Sequence, residues 1–184
     1  MKTEEDSVDG SPPQAVRTTL DAIEHVEAAV LRAGGTALRY GSFYGAPVDP
    51  LRDAVRARKA PIVGDGGAVW SLVHVEDAAS ATVLALERGG SGIYNVADDD
   101  PAPVREVLPA LAKVLGAPPP RKVPIWLAKL FAGEAGVIGM TELRGVSNAK
   151  AKQELGWTLR YPSWREGFEA VYRWHVVPGA ADAA

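Results

Sequence analysis

The spacing of apolar residues predicts alternating helices and strands over the first hundred residues. Between Gln14 and Gly35 apolar side chains recur every three or four positions, which predicts an amphipathic helix that ends at a glycine pair. Shorter apolar runs bounded by glycine, proline or acidic residues follow it. They predict a strand at 36–40, a short helix at 51–58, strands at 61–65 and 68–75, a helix at 76–90 and a strand at 92–97. This alternation is typical of an α/β fold.

Beyond residue 100 the pattern becomes almost entirely helical. Four amphipathic segments, separated by proline and glycine, are expected to pack as small helices beside the sheet. They are "PVREVLPALAKVLG", "PIWLAKLFAG", "SNAKAKQELG" and "PSWREGFEAVYRWH". Trp157, between the last two, is expected to hold the final helices together.

Composition narrows the possible partners and compartments. Hydrophobic residues make up 47% and charged residues 23% of the 184 residues, a balance typical of a globular domain. A net charge of -3 predicts neither a nucleic-acid nor a membrane partner. The chain has no cysteine and its histidines are scattered, so no metal site is expected. The acidic start and the lack of a long apolar run predict a cytoplasmic protein.

The segment "TALRYGSFYGAP", residues 36–47, is the first candidate for chemistry. Gly41 and Gly45 would let backbone approach a bound molecule closely, and Phe43 and Tyr44 offer flat apolar surface and a hydroxyl. The same residues also suit a strand-to-loop turn whose aromatic side chains fill the core. Spacing alone leaves both interpretations open.

Four segments, in order along most of the chain, resemble the C-terminal half of the extended short-chain dehydrogenase/reductase family, of the NAD-dependent epimerase/dehydratase type. They are "LRYGSFYGAP", "SLVHVEDAASATVLALE", "GIYNVADDDPAPVREVLPALAKVLG" and "SNAKAKQELGWTLRYPSWREGF". The first departs from the family pattern because Ala46 separates Gly45 from Pro47. The resemblance implies a partial NAD(P)-binding, Rossmann-like, doubly wound sheet with a mainly helical substrate-binding cap.

On this basis residues 1–184 form a single incomplete domain. Residues 14–100 would be the C-terminal part of the Rossmann-like core with an inserted strand pair, residues 101–176 the cap, and residues 177–184 a frayed tail. The resemblance implies NAD or NADP as cofactor and a sugar nucleotide or similar carbonyl compound as substrate. The small-molecule substrate would be reduced, epimerised or dehydrated.

The resemblance also suggests site residues at the end of the strand. Tyr40, Gly41 and Ser42 would contact the cofactor, and Phe43 and Tyr44 the substrate, with Tyr44 a weak candidate for the catalytic acid.

Two further polar residues are substrate-binding candidates with equally ordinary structural alternatives. His74 would touch substrate or be a hydrogen-bonded histidine at a strand end, and Arg144 would bind an anionic group or form a surface ion pair. Asp77 is expected to cap the helix it begins or to favour its dipole, and Asp98–Asp100 to form a solvated turn.

Two parts of the family's machinery have no match in the sequence. The literal spacing Gly133, Gly136, Gly139 follows a predicted helix and carries Glu134, so we interpret it as part of the cap and not as a phosphate loop. Aligning Glu27 with the family's helix glutamate places Thr19 and Ile23 at the Tyr-x-x-x-Lys positions.

These gaps predict a chain that is inactive alone and binds NAD(P) poorly. We expect a truncated enzyme; the alternatives are a non-catalytic ligand-binding or partner-binding module, or a cofactor half supplied by another chain. The strand that contains Leu38 would have an unpaired edge, which predicts possible self-association.

Overall fold

The computed structural model describes residues 1–6 and 13–173, so the predicted tail at 177–184 lies outside the described residues. Within them the helices are α1 (Gln14–Arg32), α2 (Pro50–Arg56), α3 (Val75–Arg88), α4 (Val104–Val114), α5 (Ile125–Thr141), α6 (Ala149–Leu155) and α7 (Trp164–Tyr172). The strands are β1 (Thr36–Tyr40), β2 (Ser42–Tyr44), β3 (Ile62–Val63), β4 (Val69–Trp70), β5 (Leu72–His74), β6 (Gly92–Val96), β7 (Ala102–Pro103) and β8 (Lys122–Val123). The predicted α/β class and the helical second half are confirmed.

The strands pair two by two, mostly in parallel. β1 pairs with β6, β2 with β5 and β3 with β8 in parallel, whereas β4 and β7 are antiparallel. The N–H of Asp98, just after β6, donates to the carbonyl of Leu72 in β5 (2.7 Å). β5 therefore lies between β2 and the chain that leaves β6, at the carboxyl end of the β1–β6 pair.

An ion pair holds α1 against β1. The guanidinium of Arg39 donates from Nε and Nη2 to both carboxylate oxygens of Glu27, each at 2.6 Å. No residue of α1 is fully buried, and Ile23 and Val26 in its apolar stripe are exposed. The periodicity thus predicted the helix correctly, while the described residues cover its apolar stripe only in part.

Two hydrophobic clusters carry the core. The larger one is built around α4, α7 and β5, and the smaller one packs α3 and α6 against β6. Trp157 belongs to the smaller cluster, and its indole N–H lies 3.2 Å from the carbonyl oxygen of Asp77 and 3.0 Å from the hydroxyl of Ser80. Trp157 is therefore a buried packing residue, as predicted, but it joins α6 to α3 and β6, and its cluster contains no described residue of α7.

Asp77 lies in the first turn of α3, where its charge favours the helix dipole as one of the two expectations had it, but it does not cap the helix. His74 takes that position, because its Nδ1 accepts the N–H of Glu76 (3.2 Å). The buried Asp77 carboxylate instead accepts the backbone N–H groups of Arg160 (2.7 Å) and Tyr161 (3.0 Å). The Asp77 carboxylate therefore holds the loop that contains Arg160 and Tyr161, more than eighty residues later in the chain.

The expectation of a solvated turn at Asp98–Asp100 is also wrong. Asp98 is buried and accepts the N–H of Trp164 at the start of α7 (2.8 Å). Asp99 forms an ion pair with Lys152 of α6 (2.9 Å), and Asp100 accepts from Ser163, the N-cap residue of α7 (2.6 Å). The three carboxylates therefore join the end of β6 to the last two helices.

The glycine spacing Gly133, Gly136, Gly139 lies in the helical cap, as predicted, but inside α5 and not after it. Gly133 has φ 68° and kinks the helix there, and residues 125–132 before the kink are helical. The strand that must precede a phosphate loop is absent from this position. Although α5 is the most apolar helix, none of the helices in the described ranges is long and apolar enough to cross a membrane.

We predict that the chain self-associates through the free edge of β1. The N–H of Gly41 donates to Val96, and N–H groups alternate along a strand, so the N–H of Leu38 points away from β6. No other strand of the described residues pairs with that edge. The sedimentation coefficient should therefore rise with protein concentration, because unpaired edges template pairing between chains.

Matched charge substitutions test where the contact lies. The double substitution Ile23→Lys and Val26→Lys places charge on the exposed stripe of α1, the helix that packs against β1, and should reduce the association. Leu86→Lys, on the exposed surface of α3, should not reduce it. A monomer at every concentration, with a sharp melting transition independent of concentration, would contradict the prediction.

Candidate functional site at the end of β1

The strand β1 changes partner at Gly41, and this irregularity shapes the candidate site. The N–H of Gly41 donates to Val96 at the end of β6 (2.9 Å), and the N–H of Ser42 donates to Ser71 beside β5 (2.8 Å). Successive N–H groups of a regular strand point to opposite sides, yet β5 and β6 lie on the same side here. Gly41 is therefore an inserted residue, equivalent to a β-bulge.

Only glycine fits at the bulge. A Cβ on Gly41 would lie 2.6 Å from the carbonyl oxygen of Ser71, closer than real Cβ contacts. The bulge also explains why Tyr40 and Phe43, three residues apart, share one face with ring centroids 5.3 Å apart. We call residues Tyr40–Phe43 the strand-end segment.

The strand-end segment presents exposed aromatic and hydroxyl groups. Tyr40, Ser42 and Phe43 are all exposed, and the hydroxyl of Tyr40 hydrogen-bonds the hydroxyl of Thr82 in α3 (2.6 Å). The segment follows the carboxyl end of β1, the edge at which open α/β sheets bind ligands. This arrangement suits a flat, partly apolar group with hydrogen-bonding atoms at its rim.

Tyr44 lies beneath this surface and is only 1% exposed. Its ring packs edge-on against Phe168 (5.1 Å between centroids), and its hydroxyl has no hydrogen-bond partner among the described residues. Burial, with smaller contributions from nearby Asp98 and Asp77, raises the pKa of the Tyr44 phenol far above its ordinary value. Its role as a catalytic acid stays a prediction, and this environment argues against it.

His74 is likewise buried, between Tyr44 and the ring of Tyr161, whose centroid lies 4.5 Å away. Burial lowers the pKa of His74, and its Nδ1 is occupied by the N–H of Glu76. Gly45 has φ 85°, and a Cβ there would overlap the imidazole Nε2. The structure thus places His74 at the start of α3 as a cap, apart from the exposed strand-end segment.

A buried network fixes the turn that follows the site. Tyr172 of α7 donates its hydroxyl hydrogen to Asp49, and the N–H of Gly45 is shared between the Tyr172 hydroxyl (3.0 Å) and Asp49 Oδ2 (3.2 Å). Asp49 also caps α2 by accepting the N–H of Arg52 (2.9 Å). The sequence carried one signal for this: Asp49 precedes Pro50, a pairing typical of a helix start.

Arg144 is not brought to the strand-end segment by any contact of the described residues. It follows α5, and the carbonyl of its neighbour Leu143 accepts the N–H of Val69 in β4 (2.8 Å). Arg144 is exposed, and within the described ranges it forms no ion pair. Its proposed contact with an anionic substrate group stays a prediction.

The positions of the missing dyad lie on the side of α1 that carries Glu27. Glu27 faces β1, and residues four and eight positions earlier share that side of an α-helix. Those residues are Ile23 and Thr19, neither of which can supply the phenol or the ammonium of a Tyr-x-x-x-Lys dyad.

The described residues fit only one end of a dinucleotide. Aromatic and hydroxyl groups at the strand-end segment suit a nicotinamide ring and the substrate beside it. A pyrophosphate needs N–H groups of a glycine-rich turn between strand and helix, and residues 1–6 and 13–173 contain no such turn at the carboxyl end of a strand.

Comparison with known proteins shows where this architecture recurs. Residues 22–97 match the sequence model of the NAD dependent epimerase/dehydratase family. The chain is 38% identical over 164 residues to a 3-diazoavenalumate denitrifying reductase from a Streptomyces species, covering 85% of this chain and 54% of the reductase. It is 36% identical over 104 residues to a UDP-glucose 4-epimerase of Corynebacterium glutamicum, covering 55% of this chain and 29% of the epimerase.

Solved structures share the fold. A human epimerase family protein with NADPH superposes with a TM-score of 0.77 at 16% identity, covering 93% of this chain and 59% of that one. A dTDP-glucose 4,6-dehydratase of Streptomyces venezuelae, with NAD bound, gives 0.69 at 22% identity, covering 95% and 54%. The chain thus spans about half the length of the reductase that it matches, and less of the epimerase.

Proposed function

We propose that this chain, which belongs to the NAD-dependent epimerase/dehydratase family, forms the substrate-binding part of an NAD(P)-linked oxidoreductase or epimerase. The substrate would be a sugar nucleotide or a similar carbonyl compound, and the cytoplasm its place of action. The observation that carries the proposal is the exposed strand-end segment, held in shape by the bulge at Gly41.

The extent of the sequence matches favours a reductase over an epimerase. The reductase matches 85% of this chain, including the cap, whereas the Corynebacterium epimerase matches 55%. The cap supplies much of the substrate contact in a two-part fold of this kind, so a relative that shares it is the better guide to chemistry.

Each residue of the strand-end segment has a proposed task. Tyr40, Gly41 and Ser42 would hold the nicotinamide end of NAD or NADP, and Phe43 would pack against the substrate. The bound nicotinamide would supply hydride transfer, while these residues orient the two rings and exclude water. Because Tyr44 and His74 are buried with pKa values shifted away from neutrality, the proton would come from a group outside this set.

A second function is favoured by the residues at the dyad positions. Thr19 and Ile23 cannot exchange a proton with a carbonyl oxygen, so the chain would bind ligand without turning it over. This non-catalytic module keeps the same strand-end segment. Turnover by the protein with its cofactor half restored separates the two functions.

We predict that Phe43→Ser weakens binding of a nucleotide-linked ligand at least tenfold, because it removes the aromatic surface beside the site. UDP-glucose and dTDP-glucose would be titrated by calorimetry. Val48→Ser, an exposed apolar position in the following loop, is the matched control and should leave affinity unchanged. Equal affinity of the Phe43 variant and the control variant would remove the strand-end segment from the proposal.

We predict that the chain as it stands binds NAD(H) and NADP(H) only weakly, above micromolar dissociation constants. The physical reason is the lack, in the described part of the chain, of N–H groups arranged for a pyrophosphate. Both cofactors would be titrated by calorimetry against AMP as a control ligand. A micromolar dissociation constant would contradict this prediction and return attention to Gly133–Gly139.

A further inference from the structure

The first half of α5 exposes large apolar side chains that no other described residue covers. Trp126 is 67%, Leu130 73% and Phe131 86% exposed. We call these three residues the α5 ridge. A ridge of this size on a chain with few aromatic residues is a strong departure from an ordinary charged surface.

Helix geometry makes the ridge a continuous, outward-facing strip. Trp126 and Leu130 are four residues apart and lie on one side of α5, with Phe131 next to Leu130. On the other side Ala128 is buried against Val63. The kink at Gly133 ends this segment just after Phe131, so the ridge stands at a corner of the fold.

Basic residues flank the ridge, although the whole chain is acidic. No acidic residue occurs between Glu106 and Glu134, and the basic residues in that interval are Lys113, Arg121, Lys122 and Lys129. Arg121 and Lys122 directly precede α5 and are exposed. Lys129 lies between the ridge residues, with a long contact of 3.8 Å to Glu134 that is open to solvent. The local charge is therefore positive where the apolar surface is largest.

We propose that the α5 ridge docks on an anionic lipid membrane. Aromatic and leucine side chains on a projecting helix insert into the boundary between headgroups and acyl chains, while neighbouring lysines and arginines stay at the level of the headgroups. Each such cation near an anionic leaflet adds to the attraction.

The membrane fits this surface better than a folded protein partner, because the ridge projects outward, follows the cations Arg121 and Lys122 and contains the cation Lys129. The inference departs from the expectation of no membrane partner, which rested on the net charge of the whole chain. It does not depend on the proposed function, since none of the strand-end residues belongs to the ridge.

Vesicle co-sedimentation of the full chain tests the proposal. We expect binding to vesicles of phosphatidylcholine with phosphatidylserine, at least tenfold weaker binding to phosphatidylcholine alone, and loss of binding in high salt. The double variant Trp126→Ser, Phe131→Ser should lose binding at least tenfold. The double variant Val83→Ser, Leu86→Ser changes exposed apolar residues of α3 and should bind as the original does.

A charge variant keeps the test independent of any loss of folding. Lys122→Glu with Lys129→Glu leaves the apolar side chains in place and should still abolish binding to anionic vesicles, with an unchanged circular dichroism spectrum. Equal binding to neutral and anionic vesicles would overturn the proposal, and so would no binding to either. Loss of self-association in the serine variant without vesicle binding would overturn it in favour of an interface between copies of the chain.

Discussion

Gly167→Ala is expected to lower the free energy of unfolding by about 2 kcal/mol, although alanine replaces glycine inside a helix. An added methyl group at residue 167 of α7 would overlap the hydroxyl of Tyr44 and lie 2.6 Å from its Cζ. Alanine normally stabilises a helix by about 1 kcal/mol relative to glycine. Here the overlap outweighs that gain, because the Tyr44 ring is fixed between His74 and Phe168 and cannot move aside.

Urea denaturation of two further variants separates helix propensity from the overlap. Gly139→Ala, in α5 with open space around the new methyl group, should raise the free energy of unfolding by roughly 0.5 to 1 kcal/mol. Tyr44→Phe should leave it unchanged or raise it by about 1 kcal/mol, because the buried hydroxyl has no partner in the described residues. If Gly167→Ala stabilises the protein, the Tyr44 side chain is mobile. If Tyr44→Phe clearly lowers the free energy of unfolding, the Tyr44 hydroxyl is hydrogen-bonded.

Because Tyr44→Phe is expected to leave the stability unchanged or higher, it also tests whether Tyr44 is the catalytic acid. A phenylalanine that packs as well as tyrosine removes the candidate acid without disturbing the strand-end segment. When this chain is joined to the cofactor-binding half of a relative, an unchanged rate of hydride transfer in Tyr44→Phe would assign Tyr44 to packing alone.

Sequence periodicity predicted the helices well because each is a local pattern. The four helical segments of the cap are separated by proline and glycine; α4, α6 and α7 form within them, whereas α5 continues past Gly133 to Thr141. The fold class followed from the same local reasoning. Burial could not be predicted in this way: the stripe that contains Ile23 and Val26 forms a helix, yet what covers it depends on distant elements.

The contacts that hold the candidate site are long-range, so local reasoning misplaced them. Asp77 follows a strand and opens a helix, which is the pattern of a cap, but its partners lie more than eighty residues later. The sequence suggested at Gly41 only a close approach of backbone to a bound molecule, and the bulge could not be predicted because the change of partner depends on where β5 inserts. Tyr172 and Asp49 come together only when α7 packs against the main cluster.

Two buried carboxylates, Asp77 and Asp98, join the helical cap to the strands that carry the candidate site. Each accepts backbone N–H groups from the segment that leads into α7. Such groups satisfy donors that a helix start or a tight loop would otherwise bury unpaired. The geometry of the site therefore depends on these hydrogen bonds as well as on hydrophobic packing.

The stability of the chain is expected to fall as pH rises from about 4 to about 7, through Asp98. Burial is the largest cause that raises its pKa from 3.8 to about 7, outweighing the N–H groups of Asp100 and Trp164. Between these pH values the unfolded chain has released the Asp98 proton and the folded chain keeps it. Unfolding then becomes easier with rising pH, by about 1.4 kcal/mol for each unit of pKa difference, and the effect levels off above pH 7.

Asp98→Asn separates the contribution of Asp98 from those of other titrating groups. One of these is His74, whose lowered pKa makes the free energy of unfolding rise with pH. At pH 4 both side chains are neutral, and the variant should be the less stable protein because its amide cannot accept both N–H groups. Between pH 4 and pH 8 the free energy of unfolding of the original chain should fall by roughly 4 kcal/mol relative to that of Asp98→Asn. At pH 8 the variant should therefore be the more stable protein. Asp53→Asn, at an exposed position, is the control, because Arg52 lowers the pKa of Asp53 below this window. A constant difference between the original chain and Asp98→Asn from pH 4 to 8 would mean that Asp98 is already ionised at pH 4, held by its two N–H donors.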